Sequence, residues 1–149
     1  MLTVYTWQGI DFDLKSETLD QSKSRYADAV PCYLRKLESL NKIVRTNKYL
    51  WAFLRSDQHQ YFEICKPVEW VLEVAKSEIL GYLDNNKWEQ YLRSEDHQDL
   101  EGVFQKEIIT KRDQSVLIRH PFKETIIKRK RVYKITHPKE TELIDEIEF

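Results

Sequence analysis

A chain of 149 residues, 41% hydrophobic and 12% aromatic, is long and apolar enough to bury one core and too apolar to be disordered. Its net charge of −1 excludes a long-range pull of the whole molecule toward nucleic acid or membrane. Three scattered glycines, Gly9, Gly81 and Gly102, exclude a glycine-rich phosphate loop.

Leu2 to Trp7 is β-branched and aromatic and predicts a first strand, followed by a polar loop over Gly9 to Ser24. Tyr26, Val30, Tyr33, Leu37, Leu40 and Val44 recur at helical spacing, and Pro31 suits a first helical position, so the main helix is expected over Pro31 to Val44. Tyr49 to Leu54 reads as a buried strand, with Ser56-Asp57-Gln58 as a turn and Tyr61 to Cys65 as a hairpin partner.

The cleanest alternation runs from Val68 to Val74. Val68, Trp70, Leu72 and Val74 fall on one face, and Glu69, Val71 and Glu73 on the other, which predicts an interior strand whose glutamates meet solvent. Asp84 is placed to cap a short helix carrying Trp88, Tyr91 and Leu92. A second helix is expected over Asp99 to Glu107, then a hairpin joining Ile108-Ile109 to Val116-Leu117-Ile118. Thr125 to Thr136 predicts a strand with Ile127, Arg129, Arg131, Tyr133 and Ile135 on one face and Lys128, Lys130, Val132 and Lys134 on the other. A strand basic on both faces belongs at a sheet edge or in an exposed ribbon. Leu143, Ile144 and Ile147 in the tail suggest a closing helical turn. The expected fold is α+β: one domain of mostly antiparallel sheet with two to four helices, divided into a core (1–105), a basic ribbon (106–139) and an acidic tail (140–149).

Charge is the strongest local signal. Between Lys106 and Lys139 eleven bases face three acids, and the ten residues from Glu140 hold five acids and no base. Lys128, Arg129, Lys130, Arg131, Tyr133 and Lys134 are therefore the candidate binding residues, suited to a phosphate backbone or an acidic protein; the competing reading is a protected edge, or a ribbon neutralised by the acidic tail. The histidines are scattered, with Arg119-His120 expected at the surface, and no pair lies at metal spacing, so neither metal nor cofactor is expected. No Gly-x-Ser-x-Gly elbow occurs, and catalysis is not the favoured expectation. Cys32 and Cys65 lack CxxC spacing and fit reduced thiols; with no signal-like N-terminus and no apolar run near the roughly 20 residues of a membrane helix, the expected location is the cytoplasm, without membrane contact.

The segments Val4-Tyr5-Thr6-Trp7-Gln8, Leu50-Trp51-Ala52-Phe53 and Leu72-Glu73-Val74-Ala75, leading to Asp84 and Trp88, together resemble a family of small prokaryotic proteins without an assigned activity, over residues 2–104. More loosely, the strand, helix and Val-Leu-Glu-Val strand are similar to ADP-ribosyltransferase-like domains. That similarity implies an NAD pocket around Tyr5, Trp51 and Glu73, in an NAD-using enzyme. The favoured expectation is a non-catalytic binding module, a small regulator or inhibitor of prokaryotic or phage type, that meets a protein or nucleic acid through the basic ribbon.

Overall fold

The structure, a computed structural model, describes residues 1–9, 11–15, 32–56, 68–94, 100, 102–137 and 140–149, with the backbone alone for 135–137, 140 and 141. Its elements in chain order are β1 (Leu2–Gln8), α1 (Tyr33–Val44), β2 (Tyr49–Phe53), β3 (Val68–Val74), a 3-10 turn (Lys76–Glu78), β4 (Ile79–Asp84), α2 (Asn85–Arg93), β5 (Phe104–Gln105), β6 (Gln114–Arg119), β7 (Ile126–His137) and β8 (Glu140–Glu148). The strands form one sheet in the order β5-β4-β6-β2-β1-β3-β7-β8, every neighbour antiparallel. The α+β class follows as the sequence predicts, and β3 lies inside the sheet with Trp70 and Leu72 buried. No helix among the described residues is long and apolar enough to cross a membrane.

Alternation along each strand gives the sheet two apolar faces. On one, Val4, Leu50, Ala52, Val68, Trp70, Leu72, Val116 and Ile118 pack with Leu14, Phe12 and Phe122. On the other, α1 lays Tyr33, Leu37, Leu40 and Val44 into a cluster with Tyr49, Leu83 and Leu117, joined by Trp88 and Leu92 of α2. The Asp84 carboxylate accepts from the Lys87 amide at 3.0 Å and caps α2 as its position predicts. At the far end of α2, the buried Lys36 ammonium donates to the carbonyls of Tyr91 (2.8 Å), Leu92 (2.9 Å) and Ser94. The Tyr91 carbonyl also accepts from the Ser94 amide and hydroxyl, and a cation at this end of α2 suits the helix dipole, so Lys36 ties α1 to α2.

Four expectations are corrected. The helix over Asp99 to Glu107 is absent where it is described. Gly102 turns the chain at φ 78, the Val103 amide donates to Leu100, and Phe104–Gln105 is a short strand on β4. The buried Gln114 side chain accepts from the Ile109 (2.7 Å) and Thr110 (2.9 Å) amides and donates to the Glu107 carbonyl (3.0 Å), so this segment finds its partners outside a helix. For the same reason Ile108-Ile109 is no strand; β6 pairs with β2 and β4 instead. The acidic tail is a strand, and it displaces β7 from the edge position. His120 is 1% exposed, with Nε2 2.9 Å from the Leu14 carbonyl and its ring near Phe12 and Phe122.

The helix starts at Tyr33 after a left-handed Cys32 at φ 60; Pro31, the Tyr61–Cys65 segment and most of the preceding turn lie outside the described residues. The exposed Cys32 is a free thiol, and Cys65 also falls outside the described residues. The strand Ile79–Asp84 is an addition to the expected elements, and Ile-Leu-Gly-Tyr-Leu is a run of strand character.

Candidate interaction surface on the β7–β8 ribbon

At twelve residues β7 is the longest strand; it pairs with β3 over Ile126–Val132 and with β8 over Arg129–His137. Its entry is fixed by Glu78, a buried carboxylate that accepts from the Lys123 and Glu124 amides. Leu72 faces Ile127 while Val71 faces Arg129, so Lys128 is the extra residue of a bulge. The bulge turns Ile127 into the core beside Leu72 and sends Arg129 to the opposite face, which corrects the single face predicted for Ile127, Arg129 and Arg131. A second bulge at Ile144 lies between the Val132–Asp145 and Tyr133–Leu143 pairs.

On the face that α1 and α2 cover elsewhere, this half of the sheet carries a ladder of alternating charge. Arg131 Nη1 is 3.3 Å from Glu69 Oε1 on β3, and Arg131 Nε is 3.2 Å from Glu146 Oε1 on β8. Arg129 reaches the same Glu146 oxygen at 3.2 Å and Glu148 at 3.2 Å. Glu69 is 1% exposed, which corrects the expectation that it meets solvent as Glu73 partly does. Burial pushes the Glu69 carboxyl above its ordinary 4.5, and the Arg131 and Arg129 charges only partly offset this. For Arg131, burial acts downward, but hydrogen bonding to Glu146 and the charges of Glu69, Tyr133 and Glu146 raise it overall. Burial, then the Glu69 charge, raise the Tyr133 phenol, whose ring lies 5.3 Å from that of Trp7.

The other face of the ribbon is apolar. Trp70 stacks with Phe149 at 6.4 Å, and Lys130 sits 5.0 Å above the Trp70 ring. A shallow cavity of about 460 Å³ beside them is lined by Phe122, Lys123, Thr125, Ile127 and Phe149, among others. Along the outer side, β8 has no strand neighbour except β7 among the described residues. Leu143 (46%), Ile144 (57%), Ile147 (42%) and Phe149 (63%) are all exposed there.

The six predicted ribbon residues thus divide. Arg129 and Arg131 are held by Glu69, Glu146 and Glu148; Lys130 covers Trp70; Tyr133 is half-buried by Trp7; and Lys128 and Lys134 are exposed. Tyr5, Trp51 and Glu73 share one sheet face, on three adjacent strands, without converging. Trp51 packs on Trp88 at 5.7 Å under α2, while Glu73 pairs with Thr3 at the other end of β1. Two strands across and four residues along place Trp51 and Glu73 roughly 16 Å apart. No group of three or more histidine, cysteine or carboxylate side chains among the described residues is placed to hold a metal. Sequence reasoning set Glu69 on a solvated strand face and Leu143, Ile144 and Ile147 in a helical turn, and so gave neither a place in the ribbon. The signal was available: acids in the tail are spaced to meet the ribbon bases across a hairpin that the His137–Glu140 pair closes.

No protein-family model matches this chain, and neither a curated protein nor a solved structure matches it at a significant level.

Proposed function

We propose that this protein is a non-catalytic binding module, a small regulator or inhibitor, that engages a partner protein through the β7–β8 ribbon. The observation that carries this reading is the outer edge of β8. It is nine residues long, apolar side chains project from it into solvent, and its hydrogen-bonding groups face no further strand among the described residues. Soluble proteins ordinarily shorten or cover such an edge, and an exposed one is a template for another chain. A polyanion is the weaker partner, because the two arginines best placed to hold phosphate are already paired with carboxylates of the same sheet.

A photo-crosslinking residue at position 144 of the full chain, produced in its native host, tests this. The control is the same residue at position 34, exposed on α1. The expected result is a discrete protein adduct from position 144 and none from 34. Adducts from neither position, the same adducts from both, or an adduct that nuclease removes would each overturn the reading.

A further inference from the structure

We infer that the partner segment is an extended basic strand, with lysine or arginine alternating with apolar residues, which hydrogen-bonds along the outer edge of β8 as a ninth strand of the sheet. This rests on the ribbon being the contact surface and adds the chemistry of what it contacts.

Charge across the sheet is the first argument. Read outward, the ladder runs Glu69 on β3, Arg131 on β7 and Glu146 on β8, negative, positive, negative. Opposite charges facing each other across a strand pair are favourable and like charges are not, so the next column outward favours a cation. Asp145, exposed on β8 opposite the apolar Val132, adds to this, as does the exposed Glu142, which faces Lys134.

The second argument weighs against a second copy of the chain. Five of the nine positions of β8 are acidic and none is basic, so no register of β8 on β8 sets an acid opposite a base, and two such strands side by side bring ten acids together. Pairing β8 of one copy with the opposite sheet edge of another meets β5, which is only two residues long. The same acids repel a nucleic-acid backbone. They keep the edge from closing on itself while leaving it open to a chain of opposite charge. Leu143, Ile144, Ile147 and Phe149 supply apolar contact on the two faces, Phe149 already stacked on Trp70.

The experiment titrates the full chain with four nine-residue peptides. One alternates lysine with valine, a second replaces lysine by threonine, and a third replaces it by glutamate. The fourth is the basic peptide with alternate amides N-methylated. Affinity is read by calorimetry at two salt concentrations, and β8 by amide hydrogen exchange. The basic peptide should bind about tenfold tighter than the neutral one, since several cross-strand charge pairs together reach that factor. It should slow exchange in β8, weaken with salt and fail when methylated. The acidic peptide should not bind the native chain. Glu142→Lys/Asp145→Lys, which touches none of the ladder pairs, should reverse the preference.

Equal binding of the neutral peptide would overturn the basic partner while leaving β8 as a docking edge. Binding that ignores N-methylation or leaves β8 exchange unchanged would overturn strand addition. A concentration-dependent dimer with β8 protected would assign the edge to a second copy. Duplex oligonucleotide binding with no peptide binding would end both this inference and the reading beneath it.

Discussion

The two halves of the sheet solve the same problem differently. Across β4, β6 and β2, the face bearing Leu83, Leu117 and Trp51 is covered by α1 and α2, and apolar contact does the work. Across β1, β3 and β7, the continuation of that face carries Glu69, Arg129 and Arg131, which cross-strand ion pairs tie to β8. The first arrangement is indifferent to pH. The second is not, because burial raises the Glu69 carboxyl and its charged form leans on Arg131 beside it. The charged half also ends in the longer of the two sheet edges, nine residues of β8 against two of β5, so its polarity extends to the surface where a partner is proposed to dock.

The contrast can be broken by paired substitutions. Trp88→Ala, in the helix-covered half, should cost about 3–5 kcal/mol by urea unfolding, as for other buried aromatics. The loss should be the same at pH 5 and pH 8, because the contact is apolar.

Arg131→Met should cost about 3 kcal/mol at pH 7, because it leaves the Glu69 carboxylate buried beside no direct partner. The loss should shrink at pH 5. In the native fold the Glu69 carboxyl already lies above its ordinary 4.5, so its contribution is complete below that value and fades as pH rises through the raised one. Removing Arg131 raises it further and extends that fading toward neutral pH. Glu69→Gln should accordingly flatten the stability profile above pH 4.5. Equal losses for Arg131→Met at both pH values would show that Glu69 is not the group left stranded.

Two smaller effects sharpen the picture. Asp84→Ala should lose about 1 kcal/mol with the cap of α2, read by thermal unfolding together with helical circular dichroism. Glu148→Gln should change stability by less than about 0.5 kcal/mol, since its pair with Arg129 is largely exposed and screened. A loss comparable to that of Arg131→Met would mean that the ladder acts as one cooperative unit.

By itself, the sequence determined the elements whose period is local. The alternation of Val68 to Val74, the helical stripe of Tyr33, Leu37, Leu40 and Val44, and the cap at Asp84 each follow from backbone geometry over a few residues, and each appears in the fold. It also held the charge asymmetry of the last forty residues. Tertiary structure decided what that asymmetry means. Lys128 sits in a bulge that only pairing with β3 produces, and the bulge separates Ile127 from Arg129. The tail became a strand because β7 presented arginines at the spacing of its glutamates, an interaction between segments with no trace in the period of either one. Gln114 likewise drew the segment from Gln105 to Thr110 away from a helix by hydrogen bonds across the turn. Local periodicity fixes which way a side chain points, whereas burial and pairing of charge depend on which strands become neighbours.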